Sequence, residues 1–239
     1  VALRILYNSL RVGGAILAVH TEEHMEAMSA TDGRSVFIDM DTRTSPDSYR
    51  AALLAAGGCC SAVDAVLEGT VDSAMALVRP PGHHAEADRA MGFCLFNNVA
   101  IAAAHARSRH GLERIMVVDW DLHHGNGTQS IFENRPDVLY FSTHQYPYYP
   151  GTGAFEETGR GEGAGFTINV PMMPGYIDED YVQILGGLAA PVAEQYEPQL
   201  ILVSAGFDTH REDPLGGMGM SEAGYAAMTR LLMELSDRI

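Results

Sequence analysis

Residues 117–129 read Val-Val-Asp-Trp-Asp-Leu-His-His-Gly-Asn-Gly-Thr-Gln, an apolar run that ends in two aspartates and two histidines. Side chains two apart on an extended backbone share a face, so Asp121 and His123 can offer a carboxylate and an imidazole to one cation. Asp208, which follows the apolar run 199–205, is the natural third ligand. Two carboxylates and one imidazole leave a coordination position open for water, which marks a catalytic rather than a closed structural zinc site. Iron or another divalent ion accepts the same donors, so the ligand types leave the identity of the ion open. Gly125 and Gly127 let the backbone turn sharply after the histidines.

A second pair of histidines, His83 and His84, follows Pro80, Pro81 and Gly82. Adjacent side chains of a strand point to opposite faces, so both rings address one pocket only if the chain bends, and the Pro-Pro-Gly segment supplies the bend. Imidazole titrates nearest neutrality of all side chains and suits general base and general acid work. Each ring needs an orienting partner on its second nitrogen, and Asp119 and Asn126, which flank the expected ligands, are the available groups. A carboxylate partner holds its histidine more basic than an amide partner does, so the two rings can divide the labour.

Elements must carry these groups to one place. Five β-rich runs, 73–78, 114–120, 138–144, 165–171 and 199–205, alternate with helical patterns at 47–69, 97–111, 178–196 and 221–238. Strand and helix in alternation imply an α/β fold, a mainly parallel sheet covered by helices on both faces, with Asp47 and Ser221 as helix caps. Ligands of such sheets bind beyond the carboxyl ends of the strands. The runs 73–78, 114–120 and 199–205 all lead into the residues named above. No repeat or linker divides the chain, so one domain is expected over residues 1–239.

Bulk composition sets outer bounds. With 46% apolar and 19% charged residues, and no apolar run near the roughly 18 residues of a membrane span, a globular protein without a membrane partner is expected. Fifteen basic against thirty-one acidic residues give 15 − 31 = −16, which argues against nucleic acid as a direct partner and favours a cationic substrate. Three cysteines, two of them adjacent, form no disulfide framework. A reducing compartment is therefore expected, cytoplasmic, or nuclear in a eukaryote. Oligomeric state is not legible.

The segments Arg-Pro-Pro-Gly-His-His-Ala-Glu-Ala-Asp-Arg-Ala-Met-Gly-Phe-Cys, Val-Val-Asp-Trp-Asp-Leu-His-His-Gly-Asn-Gly-Thr-Gln, Tyr-Tyr-Pro-Gly-Thr-Gly and Leu-Ile-Leu-Val-Ser-Ala-Gly-Phe-Asp resemble, in this order, the zinc-dependent histone deacetylase family. The likeness is greatest to its class II branch and to bacterial deacetylase-like amidohydrolases, and runs from about Asp39 onward. It implies the arginase-like α/β fold and a zinc ion on Asp121, His123 and Asp208. It implies that His83 and His84 are catalytic, paired with Asp119 and Asn126 respectively, asparagine at the second position being the class II habit. Phe93 and Tyr149, with Gly92, match the channel for the acyl-lysine side chain, and Ser48 the position that holds the substrate backbone. The family also binds a structural potassium near Asp119, Asp121 and His123, with Ser142 nearby.

The activity so implied is removal of acetyl or other acyl groups from the lysine side-chain amine of a peptide or protein. The alternatives are an acetylpolyamine amidohydrolase on the same fold, a two-manganese ureohydrolase, for which the carboxylates are few, and an acyl-lysine binding module without turnover. The last gains weight because the family's catalytic tyrosine, in a Gly-Gly-Tyr turn after the next core strand, would fall past Ile239. The usual segment before the first helix is also short. A domain truncated at both ends is expected, poorly active and prone to aggregate if made alone, since one lost oxyanion donor typically costs about 10²–10³ in turnover and a missing strand opens a sheet edge.

Overall fold

The computed structural model describes residues 12–239. They gather into two compact units, one of residues up to Leu112 together with Asn126–Ile131, the other of Glu113–Gly125 together with Phe132–Ile239.

The second unit holds a sheet of four parallel strands, β1 (Ile115–Asp119), β2 (Val138–Gln145), β3 (Thr167–Met172) and β4 (Leu200–Ser204), in the order β3-β2-β1-β4. Central β1 is buried throughout, as the near-continuous apolar sequence of a parallel strand requires. Met116, Val118, Trp120 and Leu122 fall on one side, where they join Leu139 and Phe141 of β2 in a core with Tyr181, Leu185, Met228 and Leu232. Tyr181 lies in α6 (Asp178–Ile184) and Met228 and Leu232 in α8 (Glu222–Ser236), which form a helical layer with α7 (Ala190–Tyr196), and Leu185 lies between α6 and α7. Residues 178–196, expected as one helix, instead divide at a π-helical turn over Leu185–Ala189 that contains Gly186 and Gly187. Ser221 caps α8 as expected, its side chain accepting from the Gly224 amide.

In the first unit α3 (Ser48–Leu67) packs on α4 (Asn98–His110), with Ala52, Ala55, Ala56 and Cys60 of α3 buried. Two shorter helices, α1 (Gly13–Ile16) and α2 (Glu22–Ser29), were not expected from the sequence. Asn97 caps α4 by accepting from the Ala100 amide, and Gly111 ends it in the left-handed conformation at φ 73°. Asp47 makes no capping hydrogen bond: its ψ of −1° already places it in the helical region rather than the extended one a cap adopts. Among the described residues α3 alone is long and apolar enough by length and composition to cross a membrane, although Arg50 and Asp64 interrupt its apolar sequence.

Residues 73–78 are not a strand. They pair with no neighbour among the described residues and are exposed, Leu77 to 83%. An extended segment becomes a strand only through backbone hydrogen bonds to another, which local alternation cannot supply. The histidine pair is therefore presented by a turn, closed by the Ala85 amide on the Gly82 carbonyl.

Two buried histidines brace the segment after that turn. His20 accepts from the Asn97 amide at Nε2 (2.9 Å), which leaves Nδ1–H to donate to the Ala87 carbonyl (3.3 Å). His24 bonds the Leu95 carbonyl at 2.8 Å, and the two rings stack at 4.9 Å. Burial, and then the neighbouring His24, lower the His20 pKa to about 4 from an ordinary 6.5. The unfolded chain therefore binds more protons between these values, and stability falls as pH drops from 6.5 towards 4, by on the order of 3 kcal/mol. The urea midpoint at pH 5 is expected well below that at pH 7; equal midpoints would contradict this.

Candidate active site

In the second unit the site is built past the carboxyl ends of the adjacent strands β1 and β4, paired through Asp119 and Ser204. Residues 121–123 are not extended. The Asp119 carboxylate accepts from the Asp121 amide (3.2 Å) and the Asp121 carboxylate from the His123 amide (2.8 Å), so each aspartate caps the amide two residues on. Asp208 reaches the same place from the loop after β4. Its Oδ1 accepts from the Leu122 amide (2.9 Å) and its Oδ2 lies 3.0 Å from His123 Nδ1. Asp121 Oδ1 lies 3.1 Å from the same nitrogen. Behind Asp208, the Thr209 and Tyr225 hydroxyls bond at 2.6 Å and tie the loop to α8.

One ligand atom from each of Asp121, His123 and Asp208 lies within 4.8 Å of the others. Donors at about 2.0–2.2 Å from a tetrahedral ion stand roughly 3.4 Å apart, so the observed nitrogen–oxygen distances suit a shared divalent cation. Burial works against a charged His123, but hydrogen bonds to Asp121 and Asp208 and their charges outweigh it and raise the pKa to about 9. An arriving cation would displace that proton.

There is no room for a side chain at Gly206, where a Cβ would overlap the Asp121 carboxylate. Gly206→Ala is therefore expected to displace the Asp121 carboxylate and, if that carboxylate holds a metal, weaken metal affinity about 10–100-fold, the cost typical of disturbing a ligand's support, measured by competition with a chromophoric chelator. Unchanged affinity would show that the carboxylate has freedom the structure does not suggest.

Asp119 is fully buried and accepts from the Tyr140 hydroxyl at 3.2 Å. Ser142 is buried as well, its hydroxyl 2.9 Å from His144 Nδ1. Tyr149 stands edge-on to His123 at 6.0 Å, and Tyr148, which the sequence did not single out, stacks on His123 at 5.6 Å. The loop that follows them is pinned from inside. His124 Nδ1 lies 2.8 Å from the Thr152 hydroxyl, and His144 Nε2 2.8 Å from the Gly153 carbonyl.

The first unit carries the histidine pair. The His83 and His84 rings are 4.0 Å apart and buried. Asn97 Nδ2 donates to the Ala85 carbonyl, and the Thr128 amide to the His83 carbonyl, fixing the turn. His84 Nδ1 lies 2.8 Å from Asn126 Oδ1, as the sequence pairing expects. Asn126 begins α5 (Asn126–Phe132), a helix where Gly125 and Gly127 suggest only a turn. Its Nδ2 donates to Glu86 Oε1 at 2.7 Å, and Glu86 also takes a bond from Arg89 at 2.9 Å. A carboxylate only accepts, so the amide must turn its nitrogen to Glu86 and its oxygen to His84. His84 is then protonated at Nδ1, and in the neutral ring Nε2 carries the lone pair.

No local pattern singles out Glu86. If its charge acts through Asn126, Glu86→Gln is expected to move the acid limb of the kcat/KM profile to lower pH, and Asn126→Asp to move it higher. Limbs unmoved in both variants would exclude the coupling.

Gly92, at φ 56°, faces the His84 ring so closely that a Cβ would overlap it. Phe93 is 57% exposed, with its amide held by the Thr42 hydroxyl at 3.1 Å. Ser48 is the first residue of α3, and its hydroxyl accepts from the Ser45 amide at 2.8 Å.

A parallel sheet with two carboxylates and an imidazole gathered past adjacent strand ends defines an α/β protein with a group of side chains that could hold a metal ion. A family model described as a histone deacetylase domain matches residues 13–239, and the chain belongs to that family. It is 43% identical over 223 residues to a probable deacetylase of Archaeoglobus fulgidus, covering 93% of this chain and 62% of the relative. A histone deacetylase-like amidohydrolase of Pseudomonas aeruginosa is also 43% identical, with coverages of 93% and 59%. The polyamine deacetylase HDAC10 of Homo sapiens is 50% identical, covering 80% of this chain and 29% of the relative. The chain thus spans about three fifths of the first two relatives. A crystal structure of the HDA15 HD domain superposes with a TM-score of 0.94 at 42% identity, covering 97% of this chain and 68% of that one. The α/β fold and the family expected from the sequence are borne out.

Proposed function

We propose that the protein is a zinc-dependent amidohydrolase that removes acetyl groups from the side-chain amine of acetyl-lysine. The observation that supports it most is the convergence of Asp121, His123 and Asp208 on a volume that suits one divalent ion. Held there, the ion supplies Lewis acidity towards an amide carbonyl and towards water. His84, with Nδ1–H committed to Asn126, accepts at Nε2 the proton of the attacking water. The protonated ring would then donate to the departing amine, with His83 as the second acid–base histidine, for which the family resemblance implies Asp119 as partner. Phe93 and Tyr149 are the aromatic residues for the acyl-lysine chain, and Gly92 leaves the His84 ring its place. A structural potassium near Asp119 and Ser142 belongs to the same proposal.

The net charge of −16 favours a cationic remainder on the substrate, which acetylated polyamines also offer. A relative named as a polyamine deacetylase at 50% identity keeps that substrate class as the second reading. The deciding experiment assays the full-length protein on acetyl-lysine peptides and acetylated polyamines, with and without chelator. Hydrolysis of the peptides that is lost with chelator and restored by zinc supports the proposal. Turnover of polyamines alone supports the second reading, and turnover indifferent to chelator overturns both.

A further inference from the structure

A second group of metal-type donors lies within the first unit, where α3 and α4 pack together. Asp64 sits in the last turn of α3, and His105 and His110 in the last two turns of α4, with His110 its final residue. Both imidazoles direct Nε2 at one oxygen of Asp64, His105 at 2.7 Å and His110 at 2.8 Å. The two rings stand edge to face at 6.1 Å, and the three ligand atoms lie within 4.8 Å of one another. The three side chains are 17%, 16% and 26% exposed for His105, His110 and Asp64, sheltered enough to be ordered and open enough for an ion to enter with water.

We infer that Asp64, His105 and His110 form a second binding site for a divalent transition metal, a clasp between the ends of α3 and α4. The donor set, two imidazoles and a carboxylate, suits zinc, cobalt or nickel rather than magnesium or calcium, which favour all-oxygen shells. The field favours a cation as well: the carboxyl ends of both helices, each with partial negative charge, come together here. Although burial opposes it, hydrogen bonds from His110 and His105 hold the Asp64 carboxyl below its usual range, so the donor is anionic. The competing cation is Arg109, whose Nε lies 3.1 Å from the same oxygen. That side chain is 55% exposed and also bonds Glu68 at 3.2 Å, a partner it can keep as the metal enters. Each imidazole would bind the ion through Nε2 and keep its ring proton on Nδ1.

The test uses full-length protein stripped with chelator and loaded with cobalt(II), reading bound cobalt per chain, the visible spectrum and the thermal midpoint. Wild type is expected to bind two equivalents. In an Asp121→Asn/Asp208→Asn background, one equivalent is expected to persist and cobalt still to raise the midpoint. Adding Asp64→Asn, which keeps the shape and an acceptor for the histidines, should abolish both effects, and His105→Gln/His110→Gln should do the same. Cobalt binding and a midpoint shift that survive these changes would overturn the inference, as would no bound cobalt in the Asp121→Asn/Asp208→Asn protein. Loss of the other equivalent reports on the proposed deacetylase site separately: if Asp121→Asn/Asp208→Asn leaves both equivalents in place, that proposal fails while this one stands.

Discussion

On the proposed function, Asp208→Asn is expected to strip the protein of the metal held by Asp121, His123 and Asp208 and reduce deacetylation of an acetyl-lysine peptide by about 10³-fold or more. Lewis-acid assistance contributes several kcal/mol to the transition state, and each 1.36 kcal/mol is a decade in rate. Asparagine is chosen because its oxygen can still accept from the Leu122 amide, the bond that holds the loop after β4. The backbone is thus retained while the anionic oxygen at 3.0 Å from His123 Nδ1 is replaced by an amide nitrogen. Elemental analysis and kcat should fall together, and excess zinc should restore little. A variant with full metal content and ordinary turnover would show that Asp208 is a structural cap and no ligand.

His84→Ala is the second large effect, with an expected loss of about 10²–10⁴ in kcat, the usual contribution of a positioned acid–base group. Here the metal content should stay at the wild-type level, because His84 is no member of the ligand set. The contrast with Asp208→Asn separates proton transfer from metal binding. Small amines such as imidazole, added at high concentration, should restore part of the activity, since the deletion leaves space beside Asn126 and Gly92. Full activity in His84→Ala would move the role of base to His83.

The parts of this protein that were legible from sequence are those in which local pattern and chemistry coincide. β1 and β4 are short runs of Ile, Val, Leu and Met, the first ending in Asp119 and the second leading through Ser204 to Asp208, so both the strand and the polar residues past it are written in contiguous sequence. Asp121, His123 and Asp208 come together as expected, though through tight turns rather than an extended backbone. His84 and Asn126 also pair as expected. What could not be read depends on partners far along the chain. Glu86 lies 40 residues from Asn126 and carries no signal of its own, and Tyr148 looks the same as its neighbour Tyr149 until the fold lays one ring on His123. Residues 73–78 have strand-like composition, but composition does not provide a strand to pair with. α5 was hidden because its first turn contains Gly127, a weak helix former. Gly127 is there for clearance, since a Cβ would overlap the Ala85 carbonyl.

The pinned loop at residues 152–157 has a consequence for anyone wishing to retune substrate choice. His124, His144 and the Glu157 carboxylate, which accepts from the amides of Gly153 and Ala154, grip this loop from within, while Tyr149 and Phe155 present their rings to solvent. Insertions or deletions here would break the grip and unseat the loop altogether. On the proposed function, in which Tyr149 serves the acyl-lysine chain, exchanging the two outward rings would alter what is admitted and leave the loop's frame standing, so new specificities should be sought by swapping side chains on a fixed loop.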